Sequence, residues 1–200
     1  MAIDRRKIID EMSKITIIGD REGMIQGFKV CVNVFPASFW TGFAERLVQK
    51  VDADQLEAVE FLLINAAHEC GYHTGYGIIT SDEWNRIVGQ MIKTAEDVLH
   101  GAFAVFTAWG WAQLEIVELV PGEKMVVRAY DYYEADTVKL GKRDRYCAFM
   151  LQGITGAFMD LAYGGPYDKS GKTGMWTFKS VQTKGKECGD DYGEFVVTKD

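Results

Sequence analysis

Between positions 56 and 70, apolar residues recur at 56, 59, 63, 66 and 70, the three-and-four alternation of one buried helix stripe. Asp52 or Asp54 precedes it, placed to cap the helix by accepting its orphan N–H groups, and the pattern predicts an end near Gly71. Upstream, Ile3, Ile8, Ile9 and Met12 predict a short N-terminal helix. "FKVCVNVF" (28–35) alternates as a strand does. "PASFWTGFAERLVQKV" (36–51) reads as a helix with Pro36 in its first turn, where a missing N–H costs little. Ser81 or Asp82 opens a further helix carrying Trp84, Ile87, Val88, Met91 and Ile92.

The second half changes period. "WAQLEIVELVPGEKMVVRAYDYYEA" holds two strand-like runs joined by Val120-Pro121-Gly122-Glu123, the composition of a β-hairpin. "RYCAFMLQGITGAFMDLAYG" (145–164) is apolar almost all round and predicts a helix inside the fold, with Gly153 and Gly156 admitting a close neighbour. "MWTFKSVQTK" and "GEFVVTK" predict a second hairpin. Helices first, then strands around a central helix, define an α+β class: one domain over residues 1–200, with N-terminal helices, an antiparallel sheet and a buried central helix.

Composition narrows the function. The chain has 200 residues, 48% hydrophobic and 26% charged, which is ordinary globular usage and enough for a sizeable core. A net charge of −7 argues against nucleic acid, which needs clustered Lys and Arg, and the short run Lys139–Arg145 is diluted by Asp144. No apolar run approaches the roughly 20 residues of a spanning helix. The N-terminus lacks a signal peptide's apolar stretch, and four scattered cysteines lack disulfide or C-x-x-C spacing. These features predict reduced thiols, a cytoplasmic location and no membrane partner.

Two of three histidines stand close together in "HECGYH" (68–73). On a helix, His68 and Cys70 point about 200° apart, so they cannot share a metal unless the helix has ended. Cys70 continues the apolar stripe and reads as a buried structural thiol, while His68 reads as a packed, hydrogen-bonded core histidine. His73, just past Gly71, is placed to be aimed into a cavity from a glycine-rich loop. Cys147 stands near the start of the inner helix, where the dipole, with Arg143 and Arg145, can lower a thiol's pKa; a tightly packed helix start wants the same small residue. Tyr72 and Tyr76, Trp109 and Trp111, and Tyr130, Tyr132 and Tyr133 suit the walls of a ligand pocket, or an aromatic-rich core.

The stretches "ECGYHTGYGIITSDEWN", "AWGWAQLEIVELVPGEKMVVRAYDYYEA" and "RYCAFMLQGITGAFMDLAYG", with the ending "KECGDDYGEFVV", resemble the 4-vinyl reductase type of small-molecule-binding domain. That group shares its fold with Golgi-transport tethering subunits and, more distantly, haem NO-binding domains. Within it, the chain is similar to proteins assigned as L-2-amino-thiazoline-4-carboxylic acid hydrolases. Many relatives carry a Cys four residues before a Gly-Asp and another three after it; here those positions are Gly185 and Gly193, so no zinc site is expected from the tail. No haem or other cofactor is expected.

The resemblance implies a hydrolase that opens a cyclic amidine-like ring by attack on its C2. Cys147 would be the nucleophile, His73 its base, and Glu134 either the carboxylate that holds the amidinium or a solvent-facing carboxylate at a strand end. Tyr72, Tyr76, Trp109, Trp111 and Tyr133 would line the pocket; Arg128 could face the substrate carboxylate, but its place reads better as an exposed strand arginine. The alternative is a non-catalytic sensor of a small apolar or aromatic ligand. The lack of an attached output domain favours the enzyme. A homodimer is the default for relatives of this fold.

Overall fold

The computed structural model describes residues 3–15, 18–32 and 34–200. In chain order the elements are α1 (Arg5–Met12), β1 (Gln26–Gly27), β2 (Val30–Cys31), α2 (Ala37–Lys50), α3 (Leu56–Ile79) and α4 (Asp82–Ile87). They continue with α5 (Ala95–Ala108), β3 (Ala112–Val120), β4 (Lys124–Tyr132), α6 (Thr137–Leu140), α7 (Phe149–Tyr163), β5 (Phe178–Lys184) and β6 (Gly193–Lys199).

The predicted hairpins form. β3 to β6 make one antiparallel sheet in the order β3-β4-β6-β5. Alternation sorts its two faces: Met125, Val127 and Ala129 of β4 and Phe195 and Val197 of β6 are fully buried. Arg128 and Tyr130 point the other way. α7 lies against the buried face, packed on β5, β6, α5 and α3, with Leu151, Ile154, Ala157 and Met159 sealed from solvent. α1 closes the bundle by resting Ile8 and Met12 on α5.

The contact between α3 and α7 departs most from expectation. α3 does not stop at Gly71; it runs through Gly71, Gly75 and Gly77 to Ile79. An interior glycine costs a helix about 1 kcal/mol, so something must repay it. A Cβ on Gly153 of α7 would lie 2.4 Å from the Ile64 carbonyl and 2.6 Å from the Ala67 Cβ. A Cβ on Gly75 of α3 would lie 2.7 Å from Leu161 and 3.1 Å from Phe158. The glycines let the two backbones approach, and the tertiary gain overrides the local penalty. Gly153 meets Ile64, Gly156 meets His68, and Gly75 meets Leu161, so the helices run parallel.

Further corrections follow. The buried stripe of α3 is Leu63, Ala67, His68, Gly71, Tyr72, Gly75 and Ile78, and Cys70 is exposed rather than a buried thiol. The stripe is set by α7, and Cys70 faces away from it. Neither Asp52 nor Asp54 caps α3; Gln55 holds that position without a side-chain bond. Ser81 does cap α4, accepting from the Trp84 N–H at 3.1 Å, but α4 ends at Ile87 and a 3-10 turn carries Met91. Of the strand expected over 28–35 only Val30–Cys31 forms, paired with Gln26–Gly27, and Asn33 lies outside the described residues. The inner helix begins at Phe149, not at Arg145. No element is expected above over 95–108, where α5 forms behind a Thr94–Asp97 capping box.

Candidate ligand-binding site

α7 offers two ends. At the first, residues from three other segments meet the unpaired N–H groups of its opening turn. Glu134, in the 3-10 turn after β4, is 3% exposed and accepts from the N–H groups of Met150 and Leu151, at 2.9 and 3.0 Å. It also accepts from the Trp40 Nε1–H of α2, at 3.1 Å. Burial lifts its carboxyl to about 7, against the pull of these three donors. Glu187 is equally buried and accepts from the Tyr132 hydroxyl, Gln182 Nε2 and the Cys147 N–H. The Gln182 Oε1 takes the Ala148 N–H.

Cys147 packs here among Phe149, Leu63 and Ile64. Burial, then the Glu187 charge, pushes its thiol up to about 12, in spite of Arg143. The dipole effect expected from the sequence is outweighed. A narrow cleft beside it is lined by Trp40, Thr41 and the Arg143 and Arg145 side chains. Arg143 pairs with Glu45, and Arg145 with Glu60 at 2.6 Å, though the Arg145 Nε and Glu60 Oε1 atoms are buried without a hydrogen-bond partner among the described residues.

His73 stands elsewhere. Ile64 is level with the first turns of α7, and His73 is nine residues further along α3, roughly 14 Å up the axis. The structure does not bring Cys147 and His73 together. His73 is helical rather than in a loop, and its Nδ1 is hydrogen-bonded to the Tyr167 hydroxyl at 2.9 Å. Tyr167 belongs to the segment 164–177, which leaves α7 and straps across α3. Its ring lies flat on Tyr76, centroids 3.5 Å apart at 2°, and stacks on Tyr72 at 5.2 Å. Trp176 of the same strap lies over His68, centroids 4.3 Å apart.

Beneath it, His68 Nε2 is 2.7 Å from the fully buried Asp160 of α7, which also accepts from the N–H groups of Trp176 and Phe178. His68 is thus the packed, hydrogen-bonded histidine expected. Asp160 was legible too, as a lone carboxylate in an apolar helix needing partners. Among the described residues, no three His, Cys, Asp or Glu side chains are placed to share a metal ion.

The remaining aromatic candidates form a separate wall. Trp109 sets its ring against Phe28 at 4.8 Å, and Trp111 against Tyr133 and Phe106 at 5.9 and 5.2 Å. Burial and the nearby Glu134 charge raise the Tyr133 hydroxyl far above its usual range. Arg128 lies on the outer sheet face, bonded to Glu194 at 3.1 Å and stacked over Tyr192 at 4.5 Å. Trp109, Trp111, Tyr133 and Arg128, like Tyr72 and Tyr76, line neither of the clefts at the two ends of α7.

At the second end of α7 an apolar crevice opens between α3, α5 and α7, with room for about one water between its walls. Ile78, Leu99, Ala102, Phe106 and Phe158 form its buried floor. Half-buried Ile79, Val98 and Leu161 form its rim, and Gly75 supplies a wall without a side chain. The lining is almost wholly hydrocarbon, and the side chains close to within about a water's width of each other. None of these residues stands out in the sequence as a site candidate. They are ordinary core types, and no spacing separates them from the rest of the core.

No family model and no curated protein sequence matches the chain. Solved structures match its fold. The phenol-responsive sensory domain of the transcription activator PoxR, solved with phenol, aligns at a TM-score of 0.70 and 12% identity, covering 100% of this chain and 92% of its own. A trafficking protein particle complex subunit 3 from Naegleria fowleri, covalently bound to palmitic acid, aligns at 0.54 and 10% identity, covering 82% of this chain and 92% of its own. The chain therefore has the α+β fold of the 4-vinyl reductase type, shared with that trafficking subunit, as its sequence suggested. At these identities the likeness is one of fold. No helix among the described residues is long and apolar enough to cross a membrane.

Proposed function

We propose that the chain is a non-catalytic small-molecule-binding domain for a small apolar or aromatic ligand, seated in the crevice between α3, α5 and α7. The observation that carries this reading is the contrast in polar chemistry. Glu134, Glu187, His68, Asp160 and Arg128 all have bonding partners within the protein, whereas the crevice is walled by side chains with nothing to offer but contact. The phenol-binding PoxR sensory domain supports the same reading by fold. A homodimer and a cytoplasmic location belong to the proposal.

The hydrolase reading gains less support. It asks Cys147 to attack as a thiolate, but burial raises that thiol to about 12, and it asks for His73 as base from far along α3. Incubation with L-2-amino-thiazoline-4-carboxylate separates the two readings. Mass spectrometry is expected to find no N-carbamoylcysteine, and its formation by the wild type, lost in Cys147→Ala, would restore the hydrolase. In parallel, a thermal-shift screen of apolar and aromatic compounds is expected to raise the melting temperature of the wild type but not of Ala102→Phe, which fills the crevice.

A further inference from the structure

We infer that the outward face of α2 is the interface through which two copies of this chain pair, related by a twofold axis passing beside Gly42. This inference rests on the homodimer of the reading above and gives it a surface. α2 is apolar on two sides. Trp40, Ala44, Leu47 and Val48 pack inward with Leu63 and Phe149. The outward stripe runs from Phe35, just ahead of the helix, through Phe39, Gly42, Phe43 and Arg46 to Lys50, and on a surface helix it should be polar. It holds three phenylalanines instead. Phe35, Phe39 and Phe43 are 59%, 56% and 50% exposed. Phe35 stacks on Phe39 with centroids 4.7 Å apart, and Phe43 stands one helical turn further on, so the rings form one patch.

Gly42 says what covers the patch. A glycine inside a helix costs about 1 kcal/mol, and elsewhere the chain repays it internally. A Cβ on Gly71, Gly75, Gly77, Gly101, Gly153 or Gly156 would meet a neighbouring element at 3.1 Å or less. A Cβ on Gly42 would meet nothing within 4 Å among the described residues. The notch lies between Phe39 and Phe43, so one surface carries both a recess and the rings to fill it. That self-complementarity is what a twofold pairing demands, since each copy offers the other the same patch. With the axis at Gly42, each copy's Phe43 ring covers the other's notch, and the two α2 backbones approach as α3 and α7 do within the chain. The area fits as well. At roughly 200 Å² for a phenylalanine, these exposures leave about 300 Å² of ring open to water. A stable interface needs about 800 Å² per partner, a little over half of it apolar, so the rings supply about two-thirds of the apolar share. The stems of exposed Arg46 and Lys50 extend the patch.

The test is sedimentation equilibrium of the full chain at concentrations from about 1 to 100 μM. The wild type is expected to sediment as a dimer. Phe43→Asp is expected to weaken pairing at least about 30-fold, because each dimer loses two central rings, while its circular dichroism stays that of the wild type. Should that variant fail to fold, cross-linking decides. A residue beside the axis faces its own copy, so Gly42→Cys is expected to give a disulfide-linked dimer under oxidation with diamide. Lys50→Cys, two turns further along an antiparallel pair, is expected to give no more than the wild type. A wild type that stays monomeric throughout would overturn this inference and the homodimer with it, leaving ligand binding untouched. A dimer as tight in Phe43→Asp as in the wild type, or cross-linked equally from positions 42 and 50, would place the interface elsewhere and overturn this inference alone.

Discussion

At its first turn α7 is met by two buried carboxylates, an amide and an indole, all aimed at backbone N–H groups or at one another. At its last turns the face carrying Phe158 and Leu161 meets hydrocarbon and a narrow crevice, while Asp160 on another face bonds His68 and two N–H groups of the strap. One helix thus has an opening turn held by buried carboxylates and, on one face of its far end, an apolar crevice. The residues that carry reactive groups hold the scaffold together, because a buried N–H without a partner is expensive and a carboxylate at a helix N-terminus satisfies two at once. The proposed ligand site lies where no polar demand had to be met. A titratable side chain in a buried place is therefore weak evidence of catalysis until its bonds are counted.

The largest effect that would break this contrast is at Glu134. Replacing it with Ala leaves the Met150, Leu151 and Trp40 donors unpaired, so the variant is expected to lose about 4 kcal/mol in urea unfolding. Melting should fall by roughly 10 °C. A loss under about 1 kcal/mol would mean the polar end is not holding the helix.

Acidity gives the next effect. The Glu134 carboxyl sits near 7 when folded, against 4.5 as the ordinary value. Between those values the native state holds a proton that the unfolded chain has released, so stability falls as pH rises through this window and levels off above it. The raised pKa corresponds to about 3 kcal/mol in all. Glu134→Gln is expected to flatten that part of the pH–stability curve, and an unchanged slope in the variant would assign the titration to another group.

The smallest effect belongs to the apolar end. Leu161→Ala removes contacts from a half-buried rim beside existing space, so it is expected to cost about 1 kcal/mol, below the usual range for a fully buried leucine. A loss comparable to that of Glu134→Ala would show that the crevice is packed as tightly as the rest of the core.

Particular elements explain how much of this was legible in the sequence. The hairpin around Pro121 and Gly122 and the inner helix 149–163 were readable because each carries its own signal, turn residues between β-formers and an apolar run too long for a strand. The passage of α3 through Gly71 and Gly75 was not, because its compensation lies in Ile154, Ala157 and Leu161, over eighty positions away. α5 could have been found, since Thr94 followed by Asp97 before an apolar run is a helix-start signature. His68 was legible as a bonded core residue. The distance between Cys147 and His73 was illegible, being set by two parallel helices. The crevice was illegible for a different reason. It consists of missing volume, and no residue type encodes an absence.

The glycine contact between α3 and α7 has an evolutionary consequence. Gly153 faces backbone atoms that cannot move aside, so that half of the helix pair is closed to drift. The crevice half is lined by aliphatic and aromatic side chains that can exchange for one another with little change in the scaffold. The proposed ligand preference can then diverge between descendants of this chain while the fold stays the same.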